Sequence, residues 1–262
     1  MISEENERTD NIAIRFENLT RKYGEFTAVD KIDLDIPRGS FYGFLGPNGA
    51  GKSTTINMLT GLISPTSGRI IVLGNDVVKK PIQVKKLMGI VPENLNLYDR
   101  LKAREYLIFS GILYGMNHPS AVERTLEILE MLEVDAEKFI SELSMGMKKK
   151  VSLGAALIHD PEILVLDEPF ISVDAISARK IKDILLKMVS TGVTVFMTTH
   201  TMEIVEKLCD SVAIIHKGKI QLNGKIGDIL TSNNTSARKT LEEIFVEMVG
   251  SESGHGGLSW IK

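Results

Sequence analysis

The stretch GPNGAGKST, which runs from Gly46 to Thr54, decides the fold of this chain. It fits the pattern G-x-x-x-x-G-K-[ST], follows the apolar run of a predicted strand and precedes a helical pattern. Glycine suits such a turn because backbone N–H groups must approach an anion with no side chain in the way. The sequence therefore predicts an α/β fold with a phosphate cradle between a strand and a helix. The alternative is a plain glycine-rich turn.

Several residues of this loop have an expected role in nucleotide binding. Lys52 would contact the β- and γ-phosphates, the hydroxyl of Ser53 would hold Mg²⁺, and the following helix would present its positive end to the phosphates. The predicted binding residues of the loop are Gly46, Pro47, Asn48, Gly49, Ala50, Gly51, Lys52, Ser53 and Thr54. A nucleotide and Mg²⁺ are the ligands that this pattern favours.

A nucleotide with Mg²⁺ needs a second, acidic anchor, and the run ILVLDEP supplies two carboxylates at the end of an apolar strand. Asp167 can bind the water shell of the metal, and Glu168 can polarise a water that attacks the γ-phosphate. His200 ends the run FMTTH, just past another apolar strand. Ligands of open α/β sheets gather at the carboxyl ends of strands, so we predict that these residues share one site. The alternatives are surface carboxylates and a structural histidine.

The order of apolar runs indicates a mainly parallel α/β sheet with additions. IAIRFENL and KIDLDI alternate apolar and polar residues, which is typical of half-buried antiparallel strands. The runs RIIVLG, MGIVPE, EILVLDEP, VTVFMTTH and SVAIIH are short, and helical stretches separate several of them, which indicates a parallel sheet. Residues from about 98 to 160 show helical periodicity without a convincing strand, and we interpret them as a helical insertion.

We predict a single domain over residues 12–249, with a hairpin around Lys217 and Gly218 near its end. The predicted division is a flexible arm over 1–11, an α/β core over 12–95 and 160–231, a helical subdomain over about 96–159, a C-terminal amphipathic helix over about 240–249 and a flexible tail over 250–262.

Composition excludes several classes of function. The 262-residue chain has a net charge of −3 and a pI near 6.0, which argues against non-specific binding of nucleic acid, so no nucleic-acid partner is expected. Cys209 is the only cysteine, which fits a reducing compartment. The acidic start MISEENERTD does not resemble a secretory signal, and no apolar run approaches the roughly 18 to 20 residues that span a bilayer. A membrane role is therefore expected to come through a partner.

The segment LSMGMKKK, residues 143–150, raises a question of charge. Ser144 is a typical N-cap, and the apolar residues that follow predict an amphipathic helix. Lys148, Lys149 and Lys150 then lie in its first turns, where the partial positive charge of the helix end disfavours cations. Either their ammonium groups reach water or the helix end faces an anion.

These elements, in this order, resemble the ATP-binding-cassette (ABC) ATPases from about residue 12 to residue 249. LSMGMKKK lies where that family carries its signature LSGGQ. By this resemblance the signature residues are Ser144, Met145, Gly146 and Met147. Tyr23 matches the aromatic residue that stacks on adenine, and Glu93 matches the Q-loop residue. Asp174 matches the D-loop aspartate, and His200 matches the switch histidine that contacts the γ-phosphate. Glu93 replaces the usual glutamine, and its carboxylate could still bind Mg²⁺.

The resemblance implies that two cassettes enclose two ATP molecules head to tail, each signature helix pointing at the γ-phosphate held by the other P-loop. Met145 and Met147 depart from the family signature. Phe170 and Ile171 replace the small residues that usually follow the catalytic glutamate in the family. Such departures, and the closing LEEIFVEMVG, resemble the bacterial exporters whose membrane subunit is a separate chain.

The implied function is that of the ATPase subunit of an ABC exporter, held at the cytoplasmic face of the membrane by a separate permease that determines the cargo. The permease would dock near Glu93 to Tyr106, where Leu95, Leu97, Tyr98 and Leu101 are either contact residues or part of ordinary packing. Two alternatives stay open: a soluble ABC ATPase of DNA repair, chromosome structure or translation, and a nucleotide sensor or weakly catalytic half of a heterodimer.

Overall fold

Two β-sheets and the helices packed on them form the framework of the protein, as seen in a computed structural model that describes residues 11–231 and 240–250. The strands are β1 (Ile12–Tyr23), β2 (Phe26–Pro37), β3 (Phe41–Leu45), β4 (Ser67–Val72), β5 (Asn75–Asp76), β6 (Met88–Val91), β7 (Ile163–Asp167), β8 (Thr194–Thr199), β9 (Ser211–His216) and β10 (Lys219–Lys225). The helices are α1 (Lys52–Leu59), α2 (Pro81–Leu87), α3 (Ala103–Leu113), α4 (His118–Leu132), α5 (Met145–Leu157), α6 (Ala175–Ser190), α7 (Met202–Leu208), α8 (Ile226–Thr231) and α9 (Leu241–Gly250).

The larger sheet has six strands in the order β10-β9-β3-β8-β7-β6. Its neighbours run parallel except for β9 and β10, which form the predicted hairpin at one edge. Strands β3 and β7 are buried along their whole length because both faces of the sheet are covered, so alternate residues of each strand pack into two different cores. The predicted α/β fold is confirmed. Since β3, β8 and β7 are adjacent, the three polar segments that follow them start side by side.

The smaller sheet has the order β2-β1-β4-β5, and its strand pairs are antiparallel. The antiparallel pairing of the first two strands was predicted, but the placement of the run RIIVLG in the parallel sheet was wrong. That run lies in β4, where Ile70 pairs with Phe16 and Val72 with Ile14. Only these two residues of β4 are buried, and such one-sided burial is typical of an antiparallel strand with one face on the core.

The segment from residue 98 to residue 160 is helical, as predicted, and contains α3, α4 and α5 together with a 3₁₀ turn at Ile140–Glu142. It is tied to the core at the end of α5. A Cβ atom at Gly89 of β6 would lie 2.1 Å from the carbonyl oxygen of Ala156, so glycine is required for this close approach. The C-terminal end of α5 therefore lies directly against the large sheet.

The core between the two sheets is rich in aromatic side chains. Phe196 of β8 packs edge-on against Phe16 at 6.1 Å between ring centroids and lies 5.5 Å from Phe44. Pairs of this kind add about 0.5–1.5 kcal/mol each to the free energy released by burying their area. This packing joins β3 and β8 of the larger sheet to β1 of the smaller sheet.

Near the end of the chain, α9 occupies the predicted C-terminal helix and packs on α7, where the backbone N–H of Leu241 donates to Glu206. The predicted arm and tail lie outside the described residues, apart from Asn11 and Gly250. Within the described ranges, no helix combines the length and the apolar character needed to cross a membrane.

Candidate nucleotide-binding site

The phosphate loop connects β3 to α1, and two of its glycines are imposed by close contacts. A Cβ atom at Gly46 would lie 2.4 Å from the carbonyl oxygen of Ile215, and one at Gly51 would lie 2.6 Å from that of Ala28. Gly51 also has φ 113°, which L side chains rarely adopt. It occupies the N-cap of α1, where no side chain caps the helix and no acidic residue lies in the first turn. The helix end is thus suited to an external anion.

Lys52 begins α1 and is almost fully buried. Its ammonium donates to the carbonyl oxygens of Gly46 at 2.7 Å and Pro47 at 3.2 Å, and it lies 3.8 Å from Oε1 of Glu168. Burial lowers the pKa of this ammonium, while the carboxylates of Glu168, Asp167 and Glu93 oppose that shift. The nearby carboxylates therefore help to keep the lysine charged inside the site.

Glu168 follows β7 and is buried at the same place. Its backbone has φ 46°, a left-handed conformation that costs a residue other than glycine about 1–3 kcal/mol. The bond from its N–H to the carbonyl of Thr198, at 3.2 Å, helps to hold this conformation. Oε1 of Glu168 lies 2.9 Å from Nδ1 of His200, so the predicted base and switch histidine are in direct contact.

Asp167, the last residue of β7, is also buried, and its Oδ1 accepts a hydrogen bond of 2.5 Å from the hydroxyl of Thr198. Burial raises the pKa of this carboxyl; the bond from Thr198 opposes the shift, and the negative charges of Glu93 and Glu168 add to it. Thr198 was not predicted as a site residue. Because it pairs with Asp167 across β7 and β8, strand register is the signal that identifies it.

A cavity of about 300 Å³ opens above these residues. Its lining contains the predicted residues Asn48, Gly49, Gly51, Lys52, Ser53, Thr54, Glu93, Glu168 and His200. Gly46, Pro47 and Ala50 are not among the lining residues; the carbonyls of Gly46 and Pro47 accept from Lys52, and Ala50 is buried. Tyr23 and Asp167 are not among its lining residues. The cavity therefore gathers most of the predicted site, with the acidic strand end beneath it.

Three apolar side chains that were not predicted as binding residues also line the cavity, namely Phe26, Ala28 and Ile171. Phe26 is 63 % exposed and is the cross-strand partner of Tyr23 at the end of the β1–β2 hairpin. The ring of Tyr23 is covered by the guanidinium of Arg21, 4.6 Å from the centroid. Phe26, and not Tyr23, thus presents an aromatic side chain to the cavity. The signal for it was the hairpin turn between the two residues.

A metal ion at this site would take few ligands from the protein. Among the described residues there is no group of three or more His, Cys, Asp or Glu side chains that could hold a metal. The oxygen donors near the cavity are the exposed Ser53 hydroxyl, the Glu93 carboxylate and the buried Asp167 carboxylate. Such a donor set fits Mg²⁺, which prefers oxygen and keeps most of its shell for phosphates and water.

The predicted signature segment opens α5, and Ser144 caps it as predicted: its Oγ accepts a hydrogen bond of 3.3 Å from the N–H of Met147. A Cβ atom at Gly146 would lie 2.6 Å from Oδ2 of Asp174, so the predicted signature glycine and the predicted D-loop aspartate are packed together. Asp174 itself caps α6 by accepting from the N–H groups of Ile176 and Ser177. Met145 is exposed, Met147 is partly buried, and neither lines the cavity.

The lysines after this cap do not extend into water as one reading predicted. That reading is wrong for Lys149 and Lys150, which are buried, whereas the Lys148 ammonium lies 3.5 Å from Asp99. The ammonium of Lys149 turns inward, to the carbonyl oxygens of Glu93 at 3.2 Å and Glu168 at 3.4 Å. It therefore contacts two segments of the chain's own candidate site.

The residues considered for permease docking divide into two groups. Leu95 and Leu97 are half-buried and pack against the core, in agreement with the ordinary-packing reading. Tyr98 is exposed and forms ring contacts of 6.1 Å with Tyr106 and 6.0 Å with Phe109. Leu101 is half-buried. A partly exposed aromatic surface, formed by Tyr98, Tyr106 and Phe109, is therefore present at the start of the helical segment that follows Glu93 in the sequence.

The fold and the site together define a P-loop nucleotide-binding protein, with the phosphate loop, the acidic strand end and the histidine on three adjacent strands. Residues 29–171 match the family model described as ABC transporter. The chain belongs to the ABC transporter family and is an ATP-binding domain of that family.

Relatives and solved structures agree with this assignment. The chain is 41 % identical over 218 residues to the linearmycin resistance ATP-binding protein LnrL of Bacillus subtilis, covering 82 % of this chain and 70 % of that protein. It is 36 % identical over 208 residues to the bacitracin transport ATP-binding protein BcrA of Bacillus licheniformis, covering 79 % and 68 %.

Among solved structures, an ATP-binding subunit of an ABC transporter superposes with a TM-score of 0.82 at 27 % identity, over 90 % of this chain and 99 % of that one. A dimeric ATP-binding cassette in a post-hydrolysis state, bound to ADP and Pi, superposes with a TM-score of 0.74 at 26 % identity, over 81 % and 98 %. These matches confirm the cassette fold, including the combination of a parallel sheet with antiparallel strands.

Proposed function

We propose that this protein is the ATP-hydrolysing subunit of an ABC exporter and drives a separate permease through ATP-dependent pairing of two cassettes. The observation that carries the proposal is the convergence of Lys52, Glu168 and His200 at one cavity, with Glu168 Oε1 lying 3.8 Å from the lysine and 2.9 Å from the histidine. A cation, a candidate base and a histidine at the mouth of a phosphate loop suit phosphoryl transfer to water.

In this proposal the loop from Gly46 to Thr54 binds the phosphates through its backbone N–H groups and the end of α1. Lys52 exchanges its bonds to the loop carbonyls for bonds to the β- and γ-phosphates. Glu168 orients and polarises the attacking water, and His200 contacts the γ-phosphate. Ser53, Asp167 and Glu93 would hold Mg²⁺, which neutralises charge on the phosphates when it is bound.

The base of the nucleotide has two candidate stacking partners. Tyr23 is the residue implied by family resemblance, and Phe26 is the aromatic residue that lines the cavity. We expect Phe26→Ala to raise the KM for ATP about tenfold, because stacking of a base on an aromatic ring contributes about 1–3 kcal/mol. Tyr23→Ala is the matched variant on the paired strand. Steady-state kinetics of both decides between them: a larger rise in KM for Tyr23→Ala assigns the stacking role to Tyr23.

The signature residues Ser144, Met145, Gly146 and Met147, together with Asp174, are proposed to act on the nucleotide of a second cassette. They belong to one packed unit at the start of α5 and α6, and that unit does not line the chain's own cavity. The solved cassette with ADP and Pi is dimeric, which supports pairing of two cassettes.

Export and the membrane partner are supported by the names of the relatives, which are a linearmycin resistance protein and a bacitracin transport protein. We propose that the permease docks beside Glu93, on the aromatic surface formed by Tyr98, Tyr106 and Phe109. The protein would then lie at the cytoplasmic face of the membrane. A weakly catalytic half of a heterodimer is the second candidate, and the exposed Met145 in the signature is the observation that favours it.

The proposal is tested by measuring phosphate release from ATP by the purified protein. We expect turnover that requires Mg²⁺, stops with excess EDTA and returns when Mg²⁺ is restored, because the donor set leaves most of the metal shell to the phosphates. Binding of a fluorescent ATP analogue is measured in parallel. Binding without turnover would favour the weakly catalytic half, and absence of both would contradict the proposal.

A further inference from the structure

Lys149 occupies an unusual position for a lysine. It lies in the second turn of α5, and only 3 % of its surface is exposed. Three acidic residues of the candidate site, Glu93, Asp167 and Glu168, act electrostatically on its ammonium. Burying a charge is costly unless hydrogen bonds and opposite charges compensate. The partners of this ammonium must therefore offset the cost of its burial.

The ammonium joins three segments that are distant in sequence. Its bonds go to the carbonyl oxygen of Glu93, in the loop after β6, and to that of Glu168, in the turn after β7. Lys149 itself follows the Ser144 cap by five positions in α5. The helix that carries the signature is thus connected through one side chain to a candidate metal ligand and to the candidate base.

The bond to Glu168 bears on the strained conformation of that residue. The carbonyl oxygen of Glu168 accepts from Lys149 and also from the N–H of Ile171, at 3.4 Å. These bonds help to hold the peptide at φ 46°, and this conformation directs the Glu168 side chain toward Lys52 and His200. Strained backbone at a functional site persists only where surrounding contacts hold it in place.

We propose that Lys149 is a positioning residue for hydrolysis: by bonding the carbonyl oxygens of Glu93 and Glu168, it fixes both acidic segments relative to the signature helix. The inference rests on the proposed function, since it assigns Glu168 as the base. Lys149 acts through Glu93 and Glu168 and is not itself required to touch ATP.

The test compares Lys149→Met with the wild-type protein in steady-state ATP hydrolysis. Methionine keeps most of the length of the side chain and removes its donors. We expect kcat to fall about tenfold or more, because small displacements of a reacting group are costly, while KM for ATP changes by less than about twofold. Lys180→Met is the control, because its exposed ion pair with Glu133 should leave kcat unchanged.

A double variant separates positioning from simple balancing of charge. Lys149 bonds the carbonyl of Glu93 and not its carboxylate, so Glu93→Gln leaves this hydrogen bond in place. We therefore expect Lys149→Met to lower kcat by a similar factor in the wild-type and Glu93→Gln backgrounds. Recovery of kcat in the double variant would show charge balance and overturn the proposal.

A Lys149→Met protein with wild-type kcat, or with a changed KM alone, contradicts the positioning role. If thermal unfolding shows that Lys149→Met does not fold, Lys149→Gln is judged by the same two criteria. Absence of turnover in the wild-type protein would instead count against the proposed function, so the two failures are distinguishable.

Discussion

A Glu168→Gln variant is expected to bind ATP normally and to hydrolyse it at least about 100-fold more slowly, because a positioned general base contributes a factor of about 10²–10⁴ to the rate. Glutamine has nearly the same shape and can keep the contact with His200, which now measures 2.9 Å. It cannot accept a proton from water. The rate of phosphate release at saturating Mg-ATP is the measurement.

The matched control is Glu162→Gln, at the opposite end of the same strand. Glu162 precedes β7, is exposed and lies 3.6 Å from Arg38, so its substitution should leave the rate unchanged. If Glu168→Gln retains the wild-type rate while the control behaves as expected, another group must activate the water. The roles given to Glu168 and, through it, to Lys149 would then be wrong.

The same variant tests the pairing of two cassettes. Slow hydrolysis should allow a closed pair with ATP to accumulate, so the solution mass from light scattering should double when Mg-ATP is added. Doubling would support a homodimer in which the segment that starts at Ser144 contacts the nucleotide of the partner. A monomer that binds ATP would contradict the homodimer and point to a different cassette or to pairing that requires the permease.

A Lys52→Ala variant is expected to lose both binding and turnover. Its ammonium is the cation at the phosphate loop, and alanine leaves the carboxylates of Glu168 and Asp167 to repel the phosphates. Removal of a single charge-stabilising donor costs about 10²–10³ in kcat, and we expect at least the lower value here. Phosphate release and binding of a fluorescent ATP analogue are measured together.

Lys79→Ala is the matched control, because Lys79 is an exposed lysine that lies 4.0 Å from Asp76. A folding control is also needed, since Lys52 is buried and its loss leaves Glu168 without one of its partners. Thermal unfolding without nucleotide reports that effect separately. Unchanged ATP turnover by a folded Lys52→Ala protein would exclude the proposed enzyme activity.

The sequence was most informative where a local pattern determines local chemistry. The loop at Gly46–Thr54, the strand end at Asp167 and the cap at Ser144 are each recognisable within about ten residues, since turns, strand ends and caps depend on near neighbours. Adjacency of strands β3, β8 and β7 then brings Lys52, Glu168 and His200 together. The order of motifs along the chain was sufficient to recognise the family.

The predictions that failed or were missed depend on pairing and packing over long distances in sequence. The run RIIVLG is apolar enough for a parallel sheet, but its strand pairs with β1, which lies far earlier in the chain. Thr198 and Phe26 become site residues only through the partners that strand register gives them.

The sequence by itself determined the class of protein and the chemical groups of its candidate site, because these follow from residue types at fixed local spacing. Only the tertiary structure decided where the charge of Lys149 goes. From the sequence, three lysines at a helix start are expected to reach water or an external anion. In the fold, Lys149 is buried, and its ammonium bonds the carbonyl oxygens of Glu93 and Glu168. A buried charge takes the partners that packing leaves within its reach, and packing is a property of the whole chain.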